Sequence, residues 1–487
     1  MAKRKRQEPV LSHPTSRSNG SGPNGKVSKI AKTNGHVDVK TSTPIIQIIA
    51  GSYERVLHGI SASISNVGDD VLPTVEFADS FLFNAHDSSI RCLAISPLPD
   101  ASSSDQGVYL ATGGSDEKVN VFNLAASPMA SNSGVPIMPT LGDTKVSENP
   151  RNREIGALLS HASNISALHF PSRSKLLSAS EDNTIAISRL RDLTTVSTIK
   201  APRPKALGQP SGDTAPPGAT PAGVNDFAIH PSMKLMLSVG RGEKCMRLWN
   251  LVTGKKAGVL NFEKHVLQGV KEGKYSGGEG RKIRWSPKGA EFVVSFERGA
   301  VVFGEDSKPK CRVLPSPLTK VHQMAWFELP GKKGDVIPVL AVSTEDGRII
   351  FYSAESTASE QTKDELPDAK VLMQLGGKAA GVAGRVKDFE VLSVNGAVGQ
   401  TIVVTASSDG AIRVWYLSSD EWRSAQENAG GQCGKLIGTY ETGNRITCLR
   451  AFTMLPAKAD DEFGLSEFEG FSGSEDESSE EDGDAEE

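Results

Sequence analysis

Seven carboxylates stand six residues ahead of a second marker residue, most often an aromatic. Glu54, Asp116, Asp182, Glu243, Glu297, Asp346 and Asp409 precede Ile60, Phe122, Ser188, Trp249, Phe303, Tyr352 and Trp415 in that order. Carboxylates held in pairs can divide acid and base roles, and a carboxylate that orients a histidine can activate a nucleophile. His86 in NAHDSSIRCLAIS and His161 in LSHASNISALHF supply histidines of that kind for Asp116 and Asp182. The repetition argues against catalysis. A catalytic acid pair breaks a repeat, whereas these seven residues define one, and no G-x-S-x-G nucleophile motif accompanies them. They read as turn residues whose oxygens tie down neighbouring backbone and side chains.

Other chemistries find no better support. Gly113-Gly114 and Gly277-Gly278-Glu279-Gly280 lack the G-x-x-x-x-G-K-[ST] pattern and do not lead into a helix. The five cysteines, Cys92, Cys245, Cys311, Cys433 and Cys448, form no C-x-x-C pair, and the nine histidines show no metal-ligand spacing. The sequence therefore predicts a non-enzyme without cofactor or metal. Cys92 and Cys448 fall inside apolar strand patterns and read as small core residues. One stretch, Lys264–Lys282, is basic and Gly-rich. Its Lys264, Lys271, Lys274, Tyr275, Arg281 and Lys282 are candidates for contact with RNA or an acidic partner. Glu263, Glu272 and Glu279 dilute that charge, so a solvated loop is the competing reading.

The elements that carry the seven markers are hairpins. VVTASSDGAIRVW, ending at Trp415, alternates β-branched and small residues, turns at Ser408-Asp409-Gly410, and resumes alternation. Equivalent hairpins surround the other six carboxylates, at a period longer than a minimal repeat unit because loops are inserted. Six of them follow a further strand: IRCLAISP, ISALHFPS, VNDFAIHPS, KIRWSPKG, VHQMAWFELPG and RVKDFEVLS. The first hairpin, Ile45–Ile64, has no such leader, and one leader, Asn444–Phe452, is left over near the other end. The counts match only if the late strand joins the early hairpin. The fold expected is all-β: a seven-bladed β-propeller closed by its C-terminal strand, which removes exposed sheet edges. Polar insertions at 126–152, 201–223, 355–368 and 418–434 are expected as surface loops.

Charge divides the chain. Residues 1–44 hold nine Lys or Arg against Glu8 and Asp38, whereas Asp460 to Glu487 contains 14 acidic residues and no basic one. The expected organisation is a disordered basic tail (1–44), the propeller (45–455) and a disordered acidic tail (456–487). Lys3-Arg4-Lys5-Arg6 is a candidate nuclear-localisation signal. Ser472, Ser474, Ser478 and Ser479 lie among carboxylates that suit acidophilic kinases. No apolar run approaches the length that spans a bilayer, and residues 1–26 lack a secretory apolar core.

These repeats resemble those of WD-repeat proteins. NDFAIHPSMKLMLSVGRGEKCMRLWNLVTGK, IRWSPKGAEFVV, RVKDFEV…VVTASSDGAIRVW and NRITCLRAF resemble one eukaryotic group, as does the opening IIAGSYERVLHGIS. That group is the maintenance-of-killer eleven / PAK-interacting-protein family of nucleolar WD-repeat ribosome-biogenesis factors. The resemblance implies a scaffold in large (pre-60S) ribosomal subunit assembly and rRNA processing, located in the nucleus and nucleolus. It implies partners among pre-ribosomal proteins, with direct rRNA contact left open, and a monomer within a large particle. No membrane and no small-molecule substrate are expected. Inhibition of a p21-activated-type protein kinase is the alternative that the same family implies. The family brings no catalytic residues.

Overall fold

A computed structural model describes residues 43–456, apart from 66–71, 101–106, 129–144, 147–148, 204–222, 274–275, 331–335, 357–365, 383, 394–399 and 428–429. The Lys3–Arg6 cluster, the acidic stretch with its serines, and Lys274 and Tyr275 lie outside the described residues.

The described strands form seven sheets, each with an antiparallel four-stranded core. The innermost strands are Ile90–Ile95, Ile165–Ser172, Val224–Ile229, Lys282–Trp285, Val321–Pro330, Val386–Ser393 and Ile446–Thr453. The blades are numbered 1 to 7 in that order. In blade 6 the marker hairpin is Thr401–Ser407 with Ala411–Leu417, and Val403 pairs with Trp415. Every residue of Thr401–Ser407 is buried because both faces of the strand meet a neighbouring blade. The outermost strands are exposed along most of their length, as in Thr194–Lys200 of blade 2.

The apolar core is accordingly seven layers, one at each junction between consecutive blades. Ile46, Ile48 and Ile60 of blade 7 meet Ile402, Val404 and Val414 of blade 6. Phe292 and Phe303 of blade 4 stack with ring centroids 5.2 Å apart, facing Leu237 and Met246 of blade 3. Burying such rings contributes about 2–3 kcal/mol each. Losing one junction would expose two blade faces at once.

The ring closes between the first and last strands. Ile45–Ser52 pairs antiparallel with Ile446–Thr453, from Ile46 opposite Thr453 to Ser52 opposite Ile446. Glu54 Oε2 accepts the Arg445 N–H at 2.9 Å, and Thr447 Oγ1 donates to the carbonyls of Gly51 at 2.9 Å and Ile90 at 2.6 Å. Blade 7 thus combines both ends of the folded segment, as the hairpin counts required.

Three insertions depart from the sequence expectation of surface loops. Within Lys264–Lys282, α1 (Lys264–Gly269) buries Val266 in the junction of blades 3 and 4, and Val270, four residues on, joins it. Within 418–434, α2 (Ser419–Glu427) buries Trp422 and Ala425 against Phe351, and Trp422 Nε1 donates to Thr401 Oγ1 at 3.2 Å. Gly431–Cys433 then adds to blade 5 as a parallel strand beside Ala369–Gly376. Lys145–Val146 extends blade 7 in the same manner, opposite Ala78 and Asp79.

A chain truncated after Leu455 should melt cooperatively like the full chain, whereas one truncated after Arg445 should lose that transition and aggregate. Thermal denaturation and size-exclusion chromatography measure both. A soluble, cooperatively melting chain lacking 446–453 would contradict closure by this strand.

Candidate functional site

Two regions concentrate polar groups: the turns between the second and third strands, and the channel lined by the inner strands. The turn carboxylates act within their own or adjoining segments. His86 Nδ1 lies 3.0 Å from both Asp116 oxygens, and its Nε2 lies 2.7 Å from Thr112 Oγ1. His161 repeats this in blade 2, 3.2 Å from Asp182 Oδ2 and 2.7 Å from Ser178 Oγ. Burial raises the Asp182 carboxyl, but hydrogen bonds from His161, Thr184 and two backbone N–H groups outweigh it and hold the group well below the carboxylate range. In blades 3, 5 and 6 an arginine on the third strand takes the place of the histidine. Glu243 pairs with Arg247, Asp346 with Arg348 at 2.7 Å, and Asp409 with Arg413 at 3.2 Å. Glu297 pairs with Lys320 at 3.0 Å and Arg281 at 3.8 Å. Trp249 and Trp415 donate their indole N–H to Ser238 (2.8 Å) and Thr405 (3.2 Å) on the adjacent strand.

The channel encloses about 830 Å³ and holds a second polar system that the turn spacing did not reveal. Inner strands have a backbone partner on one side only, so their channel-side N–H groups need other acceptors. Asp226 of blade 3, 2% exposed, accepts the Ile283 N–H of blade 4 at 3.1 Å and Arg284 Nη1 at 2.6 Å. Asp388 of blade 6, 4% exposed, treats blade 7 identically, accepting Leu449 N–H at 3.0 Å and Arg450 Nη1 at 3.2 Å. Gln323 of blade 5 joins the two pairs. Its Oε1 accepts Arg284 Nη2 at 3.4 Å and its Nε2 donates to Asp388 Oδ1 at 3.1 Å. A continuous polar chain therefore crosses blades 3 to 7. Arg450 also reaches Glu390 at 3.3 Å. At one mouth Glu181 bridges Arg91 (3.2 Å) and Arg241 (3.1 Å), linking blades 1, 2 and 3.

The sequence signal for this system was present but faint. Asp226 in VNDF and Asp388 in VKDF occupy the same slot of their strands, polar residues where the pattern is otherwise apolar. The basic candidates, by contrast, are dispersed. Arg281 engages Glu297, Lys282 lines the channel, and Lys264 and Lys271 are exposed at either end of α1. Among the described residues, no group of three or more His, Cys, Asp or Glu could hold a metal ion. All five cysteines are free thiols, and burial pushes Cys92 up to about 12.

A WD domain, G-beta repeat model matches residues 79–123 and 152–187. Those segments contain the two turn pairs His86–Asp116 and His161–Asp182. Protein MAK11 of Saccharomyces cerevisiae is 27% identical over 424 residues, covering 83% of this chain and 82% of the relative. The p21-activated protein kinase-interacting protein 1-like of Gallus gallus is 24% identical over 404 residues, covering 83% and 79%. Shk1 kinase-binding protein 15 of Schizosaccharomyces pombe is 23% identical over 409 residues, covering 84% of each. The chain is similar, over more than four-fifths of its length, to MAK11 and to the PAK-interacting proteins. For this MAK11-like propeller, the arrangement described is one of mutually satisfied polar groups that fix blade to blade.

Two outcomes follow. Asp388→Ala leaves Arg450 and the Leu449 N–H without their shared acceptor, and should destabilise the propeller by about 3–5 kcal/mol in chemical denaturation. Burial, only partly offset by Arg450, pushes Glu390 up to about 7. The stability that group permits is therefore complete below the unfolded carboxyl range and is lost as pH rises through about 7. Glu390→Gln should raise the melting temperature at pH 8 and leave it unchanged at pH 4. An equal shift at both would contradict the titration.

Proposed function

We propose that this protein is a non-catalytic scaffold in assembly of the large (pre-60S) ribosomal subunit and rRNA processing, acting in the nucleolus. The observation that carries this reading is an alignment with MAK11 spanning four-fifths of both chains. A closed ring of blades is a rigid disc that can offer several loop surfaces to different partners. Six of the seven turn carboxylates are committed to histidine, arginine or lysine side chains and Glu54 to a backbone N–H, which suits a binding role rather than acid–base catalysis. The basic Lys3–Arg6 cluster supports nuclear import. The run of 14 carboxylates from Asp460 suits long-range, salt-sensitive contact with basic ribosomal-protein surfaces.

A second reading rests on the relatives' names. Several are called kinase-interacting or kinase-binding proteins, which favours binding and inhibition of a p21-activated-type kinase. Purification through a tag on this chain, followed by mass spectrometry and RNA analysis, separates the two. Large-subunit precursor proteins and rRNA are expected; recovery of a kinase without them would overturn the assembly reading. Deleting residues 457–487 should reduce binding to basic partners most strongly at low salt, and unchanged binding with unchanged salt dependence would remove the acidic segment from the mechanism.

A further inference from the structure

Five cations and three carboxylates line the channel. Arg284 and Arg450 are matched to Asp226, Asp388 and Glu390, and Arg91 to Glu181. Among the described residues, Lys282 and Lys387 make no ion pair. They project, half-buried, from the inner strands of blades 4 and 6. His322 stands on blade 5 between them, and its buried Nε2 has no hydrogen-bond partner. Two unpaired lysines and an unpartnered imidazole thus line the channel on three consecutive blades.

The surroundings sharpen the imbalance. Burial, then the charges of Arg385 and Arg445, holds the Lys387 ammonium below its ordinary range. Burial, then Lys387, pushes His322 down to about 4, so its imidazole is neutral at physiological pH and able to donate from Nε2. Glu345, paired with Arg385 at 3.1 Å, is the acidic group that faces this crowd from blade 5. Like charges gathered in a recess cost stability unless an anion joins them.

We propose that the channel mouth spanning blades 4 to 6 binds a small multivalent phosphate anion. Lys282 and Lys387 are its charge partners and His322 Nε2 its neutral donor. The enclosed volume falls within the roughly 300–1,000 Å³ of small-ligand sites. Three donors on separate strands of a rigid ring fit a compact polyanion carrying phosphates on several sides. A phosphate ester presents several acceptor oxygens to such donors, and lysine binds phosphate as a point charge. This site is independent of the assembly reading.

The test uses the purified full chain with inositol hexakisphosphate as probe, by calorimetry and thermal shift, with inorganic phosphate in parallel. Saturable one-to-one binding and a higher melting temperature are expected, with inorganic phosphate much weaker. The double variant Lys282→Gln/Lys387→Gln should weaken the dissociation constant by about tenfold or more. Its own melting temperature should be no lower than that of the parent, since two uncompensated charges are gone. His322→Asn should bind less tightly and melt normally, which keeps the test informative if the double variant misfolds. Lys264→Gln/Lys271→Gln, away from the channel, should bind like the parent. Absence of binding overturns the proposal. So does binding that survives the double variant but is lost on removing residues 1–44. RNA oligonucleotide binding through these lysines, without affinity for the probe, also overturns it.

Discussion

An inner strand of a ring has a neighbour on one side only, and the groups it turns to the channel must find acceptors elsewhere. Here the following blade is served by the preceding one. Asp226 holds Ile283 and Arg284, and Asp388 holds Leu449 and Arg450. Gln323 carries the connection between these pairs, so five blades share a single hydrogen-bonded path at their narrowest circumference. Outside it, seven apolar layers press the blades together. The layers supply most of the favourable free energy. The polar path sets which side chains meet, because a one-position slip would leave a buried carboxylate facing no donor.

Much of this was legible in the residues. Turn carboxylates and the residue six positions later mark hairpins, since a tight turn and a buried third strand each restrict what can stand there. The surplus strand NRITCLRAF announced closure by simple matching of parts. What escaped detection depends on contacts between segments distant in sequence. Trp422 and Ala425 sit in a polar stretch whose apolar pair, three residues apart, is too short a signal to separate from a loop. Gly431–Cys433 becomes a strand only because Ala369–Gly376 offers it an edge. The path through Gln323 needed the blades placed side by side before its members could be seen as neighbours.

The same contrast explains how relatives are recognised. Among the described residues, blades 1 and 2 alone carry the histidine, carboxylate and hydroxyl set at the turn, and the repeat model matches there. Elsewhere Arg247, Arg348 and Arg413 satisfy the carboxylate by a different route. Geometry is kept while the side chains change, so similarity to the relatives extends over more of the chain than the repeat signature does.

Closure by the last inner strand also orders events during synthesis. Thr447 and Gly51, bonded in the finished ring, are 396 residues apart. At roughly 5–20 residues per second, translation leaves Ile45–Ser52 waiting on the order of 20–80 s for its partner. Throughout that interval a strand of IIQIIAGS presents an unpaired, apolar edge of the kind that recruits other chains. The nascent protein is consequently most vulnerable near its beginning until almost all of it has been made, and a chaperone that shields this first strand would act where the architecture leaves the longest gap.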